Sequence, residues 1–348
     1  MTRTKNDLIM LQALPLEVKV RMTESRIREW VREYGTSGVY VSFSGGKDST
    51  VLLHIVRNMY TDVEAVFVNT GLEYPEIQQF VKTFDNVTIL RPQMRFDEVI
   101  KAYGYPIISK EVAHKIHDAN TAKMNGRATS YAIQQFDGTY ISKNGKTNRV
   151  NMQKYKPLLD VEFRISHKCC DVMKKQPTKK FGNSTGKKPI LATMAEESML
   201  RKNKWLQFGC NAFEQKMPTS QPMSFWTEQD VLQYIKQNGI PIASVYGDIV
   251  YKDESGFEYN DSLTNDGKLY TTGCNRTGCI FCAFGCHLEQ EPSRFQRLKE
   301  THPRQYEYCI GGGEYDENGT WKPNKKGLGM GHVFDELNKL YGDGFIKY

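Results

Sequence analysis

The run SGGKDS at positions 44–49 combines the groups that proteins use to bind phosphate. Its two glycines let the backbone approach an anion closely, the lysine adds a positive charge, and the serines add hydroxyl donors. It is not a Walker P-loop, which needs a glycine four residues before Gly-Lys and a Ser or Thr directly after the lysine. We therefore expect a phosphate-binding loop of another type, in which Lys47 and Asp48 are the candidate catalytic residues.

Four cysteines near the end of the sequence have the spacing of a metal site. They are Cys274, Cys279, Cys282 and Cys286, and the C-x-x-C pair 279/282 alone is a common two-thiolate chelate. A zinc ion can take all four, or His287 in place of the last. An iron–sulfur cluster also needs cysteine thiolates and can recruit distant ones.

The adjacent pair Cys169-Cys170 favours the cluster. Neighbouring cysteines are otherwise unusual, and a strained vicinal disulfide is not expected in a reducing compartment. We weigh an iron–sulfur cluster above zinc and keep zinc as the alternative.

The elements that position these residues follow from hydrophobic periodicity. A β-branched and aromatic run that begins at Val39 predicts a strand, and the apolar spacing of Val51–Val56 predicts the helix after the loop. Strands separated by helices imply a parallel, doubly wound α/β sheet whose ligands bind at the carboxyl ends of the strands. The other predicted strands are Val63–Asn69, Val87–Leu90 and Pro189–Thr193, and the other predicted helices are Pro15–Tyr34, Phe96–Tyr103 and Pro222–Gly239.

The composition is typical of a globular protein without membrane-spanning segments. The 348 residues carry a net charge of +7, with hydrophobic content typical of globular proteins, and no apolar run could span a membrane. The apolar N-terminal run is no signal peptide, so we expect a cytoplasmic protein. The basic charge suits anionic partners. Two segments are especially basic: 168–188, and a polar insert at 118–156 with Lys or Arg at 123, 127, 143, 146, 149, 154 and 156.

The order Ser-Gly-Gly-Lys-Asp-Ser resembles the PP-loop of the ATP pyrophosphatase / phosphoadenosine phosphosulfate (PAPS) reductase family. That resemblance implies a Rossmann-like, adenine nucleotide alpha hydrolase-like fold and an adenine nucleotide ligand. In the family a D-T-G-x-x-x-P-E turn lies near the nucleotide, and this sequence has Thr70-Gly71 there, with Asn69 in place of Asp. The nucleotide-binding residues implied are Ser44, Gly45, Gly46, Lys47, Asp48, Ser49, Thr70 and Gly71.

The segment from Cys169 to Pro177 is similar to the CC-x-x-R-K-x-x-P segment of adenylyl-sulfate (APS) reductases. In those enzymes the pair and a later C-x-x-C ligate a [4Fe–4S] cluster, which implies Cys169, Cys170, Cys279 and Cys282 here. The reductases also use a cysteine in an E-C-G-x-H motif near the C-terminus, whereas this sequence ends in GDGFIKY. The run RTGCIFC at 276–282 looks closer to the R-x-G-C-x-x-C of the iron–sulfur, DndC-like ATPases of bacterial DNA phosphorothioation.

These resemblances imply an enzyme that binds ATP, Mg²⁺ and a [4Fe–4S] cluster and adenylates a substrate for sulfur transfer. The implied partners are an adenine nucleotide, DNA or RNA, and a cysteine desulfurase or other sulfur donor, with no membrane. A sulfonucleotide reductase and a non-catalytic nucleotide sensor are the alternatives. We expect a helical segment at 1–36, a nucleotide-binding domain at 37–245, and a Cys-rich region at 246–348 that packs on the nucleotide site.

Overall fold

The computed structural model describes residues 3–127, 130–141, 145, 152–252, 258–259 and 267–348. Its helices are α1 (Lys5–Gln12), α2 (Leu16–Tyr34), α3 (Lys47–Met59), α4 (Pro75–Val81), α5 (Phe96–Tyr103), α6 (Lys110–Met124), α7 (Tyr131–Asp137), α8 (Gln176–Thr185), α9 (Met199–Phe208), α10 (Glu228–Asn238), α11 (Arg294–Thr301), α12 (Pro303–Ile310) and α13 (Met330–Tyr341).

Its strands are β1 (Val39–Ser42), β2 (Glu64–Val68), β3 (Val87–Leu90), β4 (Ile107–Ile108), β5 (Lys188–Ile190), β6 (Asn211–Ala212), β7 (Thr219–Ser220), β8 (Ile249–Lys252), β9 (Glu258–Tyr259), β10 (Lys268–Thr271), β11 (Ala283–Phe284), β12 (Glu314–Tyr315) and β13 (Trp321–Lys322).

The central sheet has the strand order β3-β2-β1-β5-β7-β6. All neighbours are parallel except β6 and β7, which pair antiparallel at one edge. The chain builds outward from β1 to β3 and then returns to the other side of β1 with β5. The fold class that we predicted is confirmed as an α/β fold with a largely parallel sheet. The reversal places a topological switch point between β1 and β5, where ligands of open α/β sheets bind.

Several predicted elements match the structure closely because their apolar patterns are unambiguous. Strand β3 and helix α5 have the predicted ends, and β2 is one residue shorter at each end. The helix predicted over Pro222–Gly239 begins only at Glu228. Thr227 caps it through a capping box with Asp230, and Gly239 ends it in the left-handed region.

The polar segment at 118–156 is partly helical. Helix α6 extends into it to Met124, α7 lies inside it, and a 3₁₀ turn runs from Gln153 to Leu159. The buried residues of α6 recur at helical spacing, and Ala119 and Ala122 continue its apolar stripe into the start of the polar segment. The predicted basic residues Lys143, Lys146 and Arg149 lie outside the described residues.

The chain divides into two compact units, each assembled from separate stretches of sequence. The first unit comprises Met1–Asn69, Glu73–Arg91 and Pro177–Gly278, and contains the central sheet. The second comprises Thr70–Leu72, Pro92–Gln176 and Cys279–Tyr348. This division differs from the contiguous segments 1–36, 37–245 and 246–348 that the sequence led us to expect.

The core of the first unit surrounds β1 and α3. Val39, Val41, Val51, Leu52 and Val56 have no exposed surface. In the second unit, a separate apolar group includes the ring pair formed by Phe295 and Phe334. Among the described helices, none has the length and hydropathy needed to cross a membrane.

Candidate phosphate site and cysteine cluster

The loop between β1 and α3 is closed on itself by serine hydroxyls. The Ser49 hydroxyl accepts the Ser44 N–H at 3.1 Å and donates to the Gly46 carbonyl at 2.9 Å. Gly45 has φ +72°, and a Cβ there would lie 2.8 Å from the side chains of Ile77 and Val81. Only glycine fits both the conformation and the space. The loop thus has a fixed shape and ends at the amino end of the 13-residue helix α3, where the helix dipole favours an anion.

Lys47 is the first residue of α3, and its side chain is buried. Its ammonium group contacts Glu228 Oε1 at 2.5 Å and the Asn275 carbonyl oxygen at 2.5 Å. The same nitrogen lies 5.6 Å from the centre of the Tyr246 ring, within range of a cation–π contact. The lysine is therefore held beside the loop by segments about two hundred residues away in sequence.

Tyr246 and Thr277 bring two hydroxyl groups to the loop. The Tyr246 hydroxyl accepts the Lys47 backbone N–H at 3.2 Å and lies 2.5 Å from Thr277 Oγ1. A Cβ on Gly46 would meet the Tyr246 and Ser44 hydroxyls at 3.2 and 3.3 Å. Burial raises the pKa of Tyr246 to about 12, so this phenol is neutral at physiological pH and can act as both donor and acceptor.

Asp48 points inward from the first turn of α3. Its Oδ1 is buried and has no hydrogen-bond partner in the described structure. Burial raises the pKa of its carboxyl group, and the charges of Lys47 and Arg276 partly oppose that effect. An unsatisfied buried carboxylate oxygen is costly in a folded protein. This oxygen is therefore available to a ligand, and Mg²⁺, which binds carboxylate oxygens together with phosphates, fits its chemistry.

A second group of charges lies after β5. Glu196 Oε1 accepts the Glu228 backbone N–H at 2.5 Å, and burial together with the Glu228 charge raises the pKa of Glu196. The next residue, Glu197, pairs with Arg201, and Arg276 Nη2 lies 3.8 Å from its other oxygen. Ser198, which follows Glu197, caps helix α9.

The residues that hold Lys47 were not predicted from the sequence. Glu228 directly follows Thr227, the cap residue of α10, so the capping pattern at the start of that helix was a signal that could have indicated it. Tyr246, Asn275 and Thr277 gave no such signal, because their role depends on distant segments meeting at the loop.

Thr70 and Gly71 belong to the second unit, whereas residues 44–49 belong to the first. Thr70 is buried, and its hydroxyl accepts the Leu72 N–H at 3.2 Å. Gly71 has φ +74°, the left-handed conformation of a turn glycine. Their predicted part in nucleotide binding stays a prediction.

The four predicted ligand cysteines belong to the second unit, where residues 105–110 contact both of the segments that carry them. Strand β4 pairs with β11, which begins directly after Cys282. The Tyr105 N–H donates to the carbonyl oxygen of Arg164 at 2.7 Å, five residues before Cys169. The distant cysteine pairs are therefore neighbours because both of their segments border residues 105–110.

Cys169 and Cys170 form a hydrogen-bonded pair of side chains. The Cys169 S–H donates to Cys170, which lowers the pKa of Cys170, and the positive charge of Lys110 adds to this effect. The same hydrogen bond raises the pKa of Cys169, and burial and the nearby charges of Cys170, Cys282 and Cys279 raise it further. The other three cysteines thus all lie within electrostatic range of Cys169.

Cys282 and Cys286 have different surroundings. Cys282 is partly buried, and its sulfur accepts a hydrogen bond from the Phe284 backbone, as sulfur ligands in metal sites often do. The Cys286 thiol is buried and donates to the Ala283 carbonyl at 3.0 Å, and burial raises its pKa to about 12. Cys286 therefore resembles a structural thiol. Cys274, the other extra cysteine, belongs to the first unit.

The donor set fits a cysteine-ligated cluster. It consists of four cysteine side chains, and the positive charge of Lys110 beside Cys170 favours the thiolate form that metal binding requires. Among the described residues, however, no group of three or more His, Cys, Asp or Glu side chains is arranged to hold a metal ion.

Comparison with known proteins decides the family. The sequence model of the phosphoadenosine phosphosulfate reductase domain matches residues 38–114 and 130–284, about two thirds of the chain. The chain belongs to this family. The matched residues include loop 44–49 and all four of the predicted ligand cysteines.

Individual relatives are distant. An uncharacterized protein of Methanocaldococcus jannaschii is 36% identical over 73 residues, which is 20% of this chain and 18% of that protein. The solved PAPS reductase of Candida auris, a phosphate complex, is 12% identical with a TM-score of 0.37 and covers 70% of this chain and 91% of its own. The Candida glabrata FMN adenylyltransferase is 11% identical with a TM-score of 0.36, covering 71% and 72%.

Proposed function

We propose that this PAPS reductase-family protein binds ATP at loop 44–49 and adenylates an acceptor as the first half of a sulfur transfer. One observation carries the proposal: Lys47 is buried at the amino end of α3, beside a glycine loop at the switch point of the sheet. Helix dipole, loop amides and ammonium group together favour a polyphosphate there.

The proposed chemistry is a displacement at the α-phosphorus. An acceptor oxygen forms a bond to this phosphorus, the bond to the bridging oxygen breaks, and pyrophosphate leaves with the electron pair. Lys47 offsets the charge that develops on the phosphates. Asp48 Oδ1 would help to hold Mg²⁺, and such an ion would supply further neutralisation of that charge.

The second step of the proposed sulfur transfer consumes the adenylated acceptor. If the acceptor is a phosphate, as in a nucleic-acid backbone, a hydrosulfide-level sulfur attacks the acceptor phosphorus. A sulfur–phosphorus bond forms, and AMP leaves with the displaced oxygen. The net charge of +7 favours an anionic acceptor.

Cys169, Cys170, Cys279 and Cys282 would hold a [4Fe–4S] cluster. When bound, such a cluster supplies a site that can hold sulfur or transfer electrons. Cys286 lies outside this proposed ligand set, because its thiol donates to a backbone carbonyl.

ATP labelled at the α-phosphate tests the reaction. Incubated with the protein and with DNA or RNA, it should yield labelled AMP or an adenylated acceptor together with pyrophosphate. Formation of ADP, or no pyrophosphate with either nucleic acid, would contradict the proposal.

Anaerobic purification tests the cluster. The protein should be brown and contain iron and sulfide in equal amounts, and Cys170→Ser should remove the colour. Cys286→Ser is the matched control and should keep it. A colourless protein that holds one zinc ion would refute the cluster and support the alternative metal.

A further inference from the structure

Two arginines from different segments share one carboxylate near the loop. Arg201 Nη1 contacts one oxygen of Glu197, and Arg276 Nη2 lies 3.8 Å from the other. The Glu197 side chain is 13% exposed, whereas those of Arg201 and Arg276 are 40% and 63% exposed. The guanidinium groups thus stand at the surface, over a carboxylate that is largely covered.

The carboxylate does not neutralise both arginines. One negative charge lies between two positive ones, and the Glu197 oxygen nearer Arg201 also accepts the Met194 N–H at 3.1 Å. Burial, and then the charge of Arg276, lower the pKa of Arg201, so the two guanidinium groups are close enough to repel. Both also act on the carboxylate of Asp48. Two adjacent, partly exposed guanidinium groups are suited to an oxyanion.

The topology places this arginine pair beside the phosphate loop. Lys47 follows the carboxyl end of β1, and Arg201 lies on α9, the first helix after β5. Since β1 and β5 are parallel neighbours, the segments that follow them border the same crevice. A group bound by the arginines would therefore be next to the phosphates of a nucleotide bound at the loop.

We propose that Arg201 and Arg276 form a second oxyanion subsite, which holds the phosphate ester of the acceptor. This inference rests on the proposed function and names the class of its second reactant. Glu197 orients the two guanidinium groups, and Lys47 serves the nucleotide. The same oxyanion chemistry has two sources, the acceptor and ATP itself, and the experiment separates them.

The test measures two affinities for each variant. The probes are a fluorescein-labelled oligodeoxynucleotide, with α,β-methylene ATP present, and α,β-methylene ATP alone. We expect Arg201→Gln and Arg276→Gln each to weaken oligonucleotide binding about tenfold, because a charge-assisted hydrogen bond contributes that much. Affinity for the ATP analogue should not change. Lys202→Gln, which removes a charge one position along α9, is the matched control and should bind both probes normally.

A conservative variant and a neutral oligonucleotide distinguish the loss of a binding contact from misfolding of a variant. Arg276→Lys keeps the charge but loses the planar fork, and should bind the oligonucleotide with intermediate affinity. An oligonucleotide with neutral methylphosphonate linkages should bind wild type more weakly and should not distinguish wild type from Arg276→Gln.

Three results would overturn the subsite. If the arginine variants lost affinity for the ATP analogue to the same extent, the arginines would belong to the nucleotide site. Unchanged oligonucleotide binding by the variants, or equal binding of charged and neutral oligonucleotides by wild type, would also contradict it. Wild-type protein that binds no ATP analogue would instead refute the proposed function itself.

Discussion

Tyr246 connects its own segment and that of Thr277 to loop 44–49 through one hydroxyl group. That oxygen accepts the Lys47 N–H and contacts Thr277 Oγ1, while the ring lies below the Lys47 ammonium group. Because the side chain is only 2% exposed, water cannot readily replace these bonds. The hydroxyl is therefore a positioning group for the loop, whereas the ring is part of the core.

Tyr246→Phe separates the two roles. The ring packing is kept and the two hydrogen bonds are lost, so we expect the free energy of unfolding to fall by about 1–3 kcal/mol. The KM for ATP should rise several-fold, because the first turn of α3 loses its fixed position. Urea denaturation and steady-state kinetics measure these effects. Tyr270→Phe, on the exposed side of β10, is the control. A Tyr246→Phe variant with unchanged KM would show that the hydroxyl does not position the loop.

Helix α10 connects the core to the site. Lys19, 2% exposed, contacts both carboxylate oxygens of Asp230 at 2.7 and 2.8 Å. Asp230 in turn accepts the Thr227 N–H at 2.6 Å and so fixes the start of α10. Glu228, which contacts Lys47, follows directly. A buried ion pair between α2 and α10 thus determines where a residue of the site lies.

Lys19→Met should destabilise the protein strongly. It leaves the Asp230 charge buried without its cation, and breaking a buried pair in this way costs about 3–5 kcal/mol. Urea denaturation measures the loss. The double variant Lys19→Met/Asp230→Asn should recover part of it, because no uncompensated charge remains. A loss below about 1 kcal/mol for the single variant would contradict the description of the pair as buried and coupled.

The central sheet contains an ion pair between Glu64 and Lys187, which predicts that the stability of the protein depends on pH. Burial acts to raise the pKa of Glu64, but hydrogen bonds from Lys187 and Thr88 outweigh it, and the pKa is lowered. A carboxyl group with a lowered pKa in the folded state stabilises the protein above its unfolded pKa of 4.5. That stabilisation is lost as the pH falls through the folded value.

Glu64→Gln should therefore lower stability at neutral pH and make it less sensitive to acid below pH 4.5. Thermal denaturation between neutral and acidic pH measures the difference. Glu17→Gln, at an exposed position on α2, is the control and should follow wild type. Parallel acid profiles for wild type and Glu64→Gln would show that the pair does not contribute.

Local sequence predicted these elements better than their arrangement. The strands Val87–Leu90 and Glu64–Val68 are short β-branched runs, and α10 has both of its caps in the sequence. The pairing of β5 with β1 has no local signal, because it depends on contacts between residues about 150 positions apart. For the same reason the sequence indicated loop 44–49 but not Tyr246.

At the scale of the whole molecule, the chain alternates between two units. It enters the second unit at Thr70–Leu72, again at Pro92–Gln176, and finally at Cys279–Tyr348. Periodicity describes one element at a time, so contiguous domains were the simplest expectation. Cys169 lies within electrostatic range of Cys170, Cys279 and Cys282, because the fold brings their segments together beside residues 105–110. The role of these four cysteines as ligands stays a prediction.

The two candidate sites belong to different units. The phosphate loop and its partners lie in the first unit, and the four cysteines lie in the second. Each site can thus be disabled by a substitution within its own unit. The loss of one function while the other ligand stays bound is then a measurable outcome.

The central claim is that Lys47 and its loop bind the phosphates of ATP. Calorimetric titration with α,β-methylene ATP and Mg²⁺ tests it most directly, on wild type, Lys47→Ala and the control Lys202→Ala. We predict one bound nucleotide per chain, an affinity at least about tenfold weaker in Lys47→Ala, and no change in the control. Equal affinity in wild type and Lys47→Ala, or no binding to wild type, would contradict the account.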